Sequence, residues 1–156
     1  MSAAGAPAAT PGKVGTQTDP YRTYNFVLQI PGIADARFTT CHGLAIHVEP
    51  IRYRESGTGQ IVRALPGQVL YDNLVLSYGV TKSRDLWDWF LKSVKGTVDR
   101  RNISVIMLDP DGVTEALRWN LIAAWPCQMK IAGLDAMGRQ VAIEELQIAY
   151  DSLDKG

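Results

Sequence analysis

The chain has 156 residues, 46% hydrophobic and 21% charged, with 16 Lys and Arg balancing 16 Asp and Glu. That is a globular composition at the length of one domain, and a zero formal charge lacks the cationic excess that a nucleic-acid binder needs. Two cysteines, Cys41 and Cys127, are too few for a disulfide framework. The opening Met1 to Pro7 has neither the basic nor the apolar region of a secretory leader, and no apolar run approaches the ~20 residues of a membrane span. The expectation is a chain made in the cytoplasm, with reduced thiols and no membrane anchor.

Residues 1–18 are mostly Ala, Gly, Pro, Thr and Ser. They cannot offset their ordering entropy by burial, and read as a flexible arm or a linker tail. A single domain is expected over 19–156. Tyr24, Phe26, Leu28 and Ile30 alternate with Asn25, Val27 and Gln29, the period of a strand with one buried face. A second strand is expected from Ala36 to His42. From Leu44 to Leu65 the pattern predicts a long hairpin. Leu44, Ile46 and Val48 alternate, and after Pro50 the apolar phase shifts to Ile51 and Tyr53, as at a bulge. Glu55 to Gln60 forms a glycine-rich tip with Gly57 and Gly59, and the chain returns through Ile61 and Arg63. With few large apolar residues near its tip, such a hairpin finds its partner on another chain.

Leu74 to Tyr78 reads as a strand. A helix follows, with Ser83 or Thr81 as N-cap. Leu86, Trp87, Phe90, Leu91 and Val94 form its apolar stripe, and Gly96 stops it. Arg84, Asp88 and Lys92 are i,i+4 neighbours on the outer face. Trp89 lies off the stripe, either as an exposed contact anchor or as part of a wider apolar face. Ile103 to Leu108 is a strand, and Asp109-Pro-Asp-Gly112 a turn. Leu117 to Trp125 alternates until Pro126 interrupts, a further strand covers Cys127 to Ala132, and Asp135 to Gly138 is a loop. Val141 and Ile143, then Leu146, Ile148 and Tyr150, alternate in opposite phases about a bulge at Glu144-Glu145. About eight strands with one helix fit an antiparallel β-sandwich or barrel with the helix on its flank.

Catalytic and metal chemistry find little support. Cys41, His42, His47 and Cys127 include no CxxC or HxxxH, and Cys41 and His42, adjacent on a strand, point to opposite faces. The Asp109 turn lacks the ligands of a calcium loop. Gly57-Thr-Gly59 has no P-loop Lys, no G-x-S-x-G is present, and Glu144-Glu145 reads as a solvated or interface-facing pair. Asp99-Arg-Arg-Asn102 is a short basic turn. No catalytic residue, metal or cofactor is assigned.

Several motifs together, running from about Asp19 to Leu153, resemble the contractile-tail tube protein family of T4-like phage tails and extracellular contractile injection systems. They are Asp19-Pro-Tyr-Arg-Thr-Tyr-Asn-Phe, Tyr53-Arg-Glu, Leu65-Pro-Gly, Arg84-Asp-Leu-Trp-Asp-Trp-Phe, Asp99-Arg-Arg-Asn, Arg118-Trp-Asn-Leu, Ala124-Trp-Pro and Val141-Ala-Ile-Glu-Glu-Leu. The resemblance implies an antiparallel β fold with one flanking helix, related to the type VI secretion tube protein. It implies hexameric rings stacked into a hollow tube, inside a sheath whose contraction drives the tube through a target envelope. Implied partners are further copies of the chain, the sheath, baseplate, spike and tube-terminating proteins, and luminal cargo, either effector protein or DNA. The particle is a phage tail or an injection particle released outside the cell. Candidate contacts between subunits or rings are Val48, Ile51, Tyr53, Arg54, Glu55, Gly57, Gly59, Ile61 and Arg63. Candidate sheath contacts are Asp88, Trp89 and Lys92. The alternatives are a baseplate or tube-end paralogue with the same fold, and a monomeric β-barrel that binds a small ligand.

Overall fold

The alternation at Phe26, Leu28 and Ile30 produces the expected first strand, β1 (Phe26–Gln29), whose even-numbered side chains turn inward while Val27 and Gln29 face solvent. The structure, a computed structural model, describes residues 25–33, 38–57, 59, 61–80 and 82–156. The expected arm, Tyr24, Ala36 and Thr81 lie outside the described residues.

The remaining elements are β2 (Thr40–His42), β3 (Ile46–Arg54), β4 (Val62–Tyr71), β5 (Leu74–Gly79), α1 (Asp85–Val94), β6 (Arg101–Leu108), β7 (Glu115–Lys130), β8 (Ile143–Ala149) and β9 (Ser152–Lys155). All pairings among the described strands are antiparallel. One sheet runs β1-β6-β7-β8-β5-β2, with β9 also on β7, and β3 and β4 form a separate two-stranded sheet.

β7 departs from the expectation of two strands broken at Pro126. It is continuous for 16 residues. Its first half pairs with β6 and β9, and its second half with β8. Pro126 is accommodated because the register with β8 shifts between Pro126 and Gln128, the irregular position at which a strand tolerates a missing N–H. The strand turns at Ala123, which has a φ of 54°. A non-glycine residue in that region is held there by its surroundings. The Ala123 N–H donates to Asn102 Oδ1 at 3.1 Å, and the Asp151 N–H donates to the Ile122 carbonyl at 3.0 Å. A strand that changes direction this way carries the chain from one sheet layer to the next.

The two layers enclose one core. β5 contributes Leu74, Leu76 and Tyr78, β6 Ile103 and Val105, β7 Leu121 and Ala124, and β8 Leu146 and Ile148. β9 was not expected, since Ser152-Leu-Asp-Lys155 is short and mostly polar. The bulge expected at Glu144-Glu145 is also absent. β8 starts at Ile143 and keeps an unbroken register with β5 from Ile143 to Ile148. Val141 lies in the preceding loop, so the two apparent phases belong to a loop and a strand.

The helix inner face is Leu86, Trp89, Phe90 and Ser93, the i, i+3, i+4, i+7 set. Trp89 is therefore not an exposed anchor. It is 1% exposed and belongs to the core. Ser83 is not the N-cap either. Arg84 holds that position without a side-chain cap bond, and Ser83 Oγ donates to Asp85 Oδ2 at 3.2 Å. Truncating Trp89 to Ala is expected to cost about 3–5 kcal/mol, the range for a buried Trp, read from urea unfolding. Ala123→Val is expected to destabilise the fold, and Ala123→Gly to leave it unchanged or more stable, because only glycine enters the left-handed region without a steric penalty.

Candidate assembly surfaces

The β3–β4 hairpin rises from a closely packed root. Gly43 has a φ of 90°, and a Cβ there would fall on the Asn73 carbonyl oxygen, so no other residue fits. The Asp72 N–H donates to the Ala45 carbonyl. Tyr71 anchors the base by packing edge-on against Tyr150, with ring centroids 5.8 Å apart. Beyond the base the hairpin has only its own two strands among the described residues. The return strand continues to Tyr71 rather than ending at Leu65. The register breaks between Val48 and Pro50, where a break was expected, but the extra residue is on β4. Gly67 and Gln68 stand opposite Glu49, and a Cβ on Gly67 would meet the Glu49 carbonyl at 2.7 Å. Glycine is required there for close approach.

Almost every side chain of this hairpin is open to solvent. Ile46, Val48, Ile51, Val62, Leu65, Val69 and Leu70 are each between 44% and 54% exposed. A two-stranded hairpin is marginal in water, and contiguous exposed apolar surface marks an interaction site. The candidate residues are brought together here. Ile51 lies opposite Leu65, Tyr53 opposite Arg63, and Arg54 opposite Val62. Glu55 accepts a hydrogen bond from Tyr53 Oη at 3.3 Å and forms an ion pair with Arg63 at 3.6 Å. Gly57 and Gly59 sit at the tip with positive φ, and Ile61 is exposed beside them. Sequence reasoning missed Val69 and Leu70 because it ended the return strand at Leu65, and it did not single out Val62 and Leu65 within the predicted hairpin.

The helix presents a second surface. Asp88 is exposed and lies 3.9 Å from Arg84. Lys92 reaches Asp99 Oδ2 at 3.2 Å. The outward aromatic is Trp87, tilted against Phe90 at 6.4 Å, with Val94 one further turn along. Trp89 instead secures the helix. Its indole N–H donates to the Asp99 carbonyl at 2.8 Å, and the Arg101 guanidinium lies 5.2 Å from its ring centroid. Arg101 also donates to Asp99 Oδ2 through Nε and Nη2, and to the Pro31 carbonyl through Nη1 at 2.7 Å. The basic turn is thus a junction between the helix, β6 and the end of β1. The Arg101 guanidinium holds the Asp99 carboxyl below its usual range, with Lys92 adding to the effect.

Catalytic geometry is sparse. No group of three His, Cys, Asp or Glu side chains able to hold a metal occurs among the described residues. Burial pushes the Cys41 thiol up to about 11, so it stays protonated at neutral pH and is a poor nucleophile. An apolar cleft of about 710 Å³ opens between Phe26, Phe38, Cys41, Leu44, Val105 and Trp119. None of the described helices is long and apolar enough to cross a membrane.

Residues 22–154 match the family model of the T4-like virus tail tube protein gp19. Among solved structures, the chain is 26% identical to a chain of the anti-feeding prophage tube-terminating cap, covering 96% of this chain and 98% of that one at a TM-score of 0.80. It is 24% identical to a chain of the sheath–tube complex of an extracellular contractile injection system in its extended state, covering 96% and 99% at a TM-score of 0.79. A type six secretion system protein shares the fold at 12% identity and a TM-score of 0.56, over 83% of this chain and 81% of that one. No curated protein matches the chain.

The Asp99 junction carries a pH signature. A carboxyl lowered on folding contributes stability that is present above its unfolded value, about 3.9, and is lost as pH falls through the lower folded value. Asp99→Asn is therefore expected to lower the melting temperature at pH 7 and to flatten its decline below about pH 4, measured by thermal unfolding across pH.

Proposed function

The chain belongs to the T4-like virus tail tube protein gp19 family, and from that premise we propose that it is the repeating, non-enzymatic subunit of the inner tube of a contractile phage tail or contractile injection system. Six copies close into a ring, rings stack into a hollow tube, and sheath contraction pushes the tube through a target envelope. Effector protein or DNA travels in the lumen. Assembly takes place in the cytoplasm, and the finished particle is the phage tail or the released injection device.

One observation carries this reading. The β3–β4 hairpin has apolar side chains exposed on both strands and no third strand beside it among the described residues. A lone molecule gains little from such a surface, whereas a polymer buries it at every repeat. The edges of the main sheet, at β1 and β2, carry no further strand among the described residues and fit the same reading, because ring closure by strand pairing between copies removes such edges. Val48, Ile51, Tyr53, Arg54, Glu55, Gly57, Gly59, Ile61 and Arg63 are assigned to contacts between copies. On the helix, Trp87 takes the place of Trp89, with Asp88 and Lys92 beside it facing the sheath.

A second reading is a tube-end protein that caps or initiates the tube. Similarity to a chain of a tube-terminating cap structure over nearly the full length supports it. Negative-stain electron microscopy of the purified chain, with its mass in solution, separates the readings. Six-fold rings that stack into long regular tubes are expected. Rings that never stack favour the tube end, and a stable monomer at high concentration overturns both.

A further inference from the structure

The core is open on one side. Along the inward face that starts with β1, Ile30 is 5% exposed, whereas Leu28 and Phe26 are only half-buried. The apolar cleft begins there. Phe26 and Met107, partners in the β1–β6 register, both line it, as do Val105 and Trp119, partners across β6 and β7. Phe38, Cys41 and Leu44 also line it, packed against the core but half-buried. β1 and β2, the strands at the two ends of the sheet, thus both contribute walls. A cavity of about 710 Å³ walled by half-buried aromatic rings is apolar surface that calls for a cover. The lining also has a polar part. Thr39 and Thr40 are exposed, and Thr39 Oγ1 donates to the Ser77 carbonyl at 3.0 Å, which leaves its oxygen free to accept. Apolar walls with a hydroxyl rim complement a tyrosine, which has an apolar ring and a polar tip.

The chain enters the fold at this cleft. The Leu108 N–H donates to the Asn25 carbonyl at 2.9 Å, and Asn25 Nδ2 donates to the Asp109 carbonyl at 3.3 Å. Asn25 is therefore tied to the end of β6, next to Phe26 and Met107. The residues directly before it are Pro20-Tyr21-Arg22-Thr23-Tyr24. Five extended residues reach about 16 Å at a strand rise of about 3.3 Å, more than the roughly 9 Å edge of a cube with the volume of the cleft. Pro20 fixes its own φ and biases Asp19 to extended backbone, so ordering this segment costs less entropy than ordering a free chain. Strand parity gives Tyr24 the same face as Phe26. Residues 1–18, by contrast, contain no aromatic side chain.

We infer that the segment from Pro20 to Tyr24 closes this cleft within its own chain, with the Tyr24 ring beside Phe26 and its hydroxyl at the threonine rim. The segment acts as a strap across the open side of the core and shields the apolar surface that β1 and β2 leave between them. The inference concerns the folded chain by itself and stands or falls independently of the tube reading.

Cys41 serves as the reporter, because it lines the cleft, and Cys127, half-buried on β7 and not part of the lining, is the internal reference. Full-length chains, separated by sedimentation from any rings or tubes, are alkylated with iodoacetamide, and each thiol is followed by peptide mass. Tyr24→Ala is expected to raise the Cys41 rate relative to Cys127 by about tenfold, as a local cover is lost. A chain lacking residues 1–18 is expected to match the wild type. Equal Cys41 rates in Tyr24→Ala and wild-type chains overturn the inference. A rise on removing residues 1–18 assigns the cleft to the arm instead, and protection lost on dilution assigns it to a second copy, so either result overturns closure within one chain. If Tyr24→Ala fails to fold, a proximity measurement decides. The full-length chain with Tyr24→Cys and Cys127→Ser is treated with a short bis-maleimide. A link within one chain between position 24 and Cys41 supports the strap, and links only between chains, or none, overturn it.

Discussion

β7 has hydrogen-bond partners in both halves of the main sheet, so its bend at Ala123 fixes how the two layers meet. The bend leaves an N–H that the ladder cannot satisfy, and Asn102 supplies the acceptor. Opposite it, β8 and β9 follow the same side of β7 and break at Tyr150 and Asp151, at the same corner. Tyr150 packs on Tyr71 at the hairpin base, and Asp151 pairs with Arg100 at 3.2 Å. The corner that encloses the core therefore also positions the root of the hairpin and the turn leading into β6.

The helix is held by the neighbouring junction. Arg101 touches the Trp89 ring, the Asp99 carboxylate and the Pro31 carbonyl, so one guanidinium joins the helix and its own turn to the distant end of β1. Its planar fork of donors suits this in a way a lysine ammonium cannot. With the inner face fixed, Trp87 and Val94 must face outward. The outward surface of the helix is thus a consequence of how its inner face is bolted to the sheet.

Much of this architecture was legible in the sequence wherever side-chain period reported burial. The alternation at Phe26, Leu28 and Ile30 became a strand with that face inward, and the runs from Leu74 and Ile103 became strands as expected. The hairpin was legible from its alternation as well, although its apolar side chains are exposed in the single chain. What escaped depended on contacts distant in sequence. Trp89 was misplaced because a stripe centred on Trp87 and Leu91 fits a helical wheel nearly as well as the true face, and only Asp99 and Arg101 decide between them. Pro126 looked like a terminator because the irregular pairing that tolerates it belongs to β8. Asp135 to Gly138 was legible as a loop, but the exposure of the apolar residues around it was not, since Leu134 and Met137 follow neither period, and apolar residues without a period do not report which side is wet.

The hairpin also bears on how the protein responds to cold. A joint between copies built from Ile, Val and Leu side chains draws its strength from the release of ordered water, and that driving force weakens as temperature falls. The main core is enclosed within each chain, whereas the hairpin side chains are exposed in the single chain and, in the proposed tube, would be covered by a neighbour. In the proposed tube, chilling would therefore loosen the joints before it loosens the subunits, with folded single units as the cold-released form.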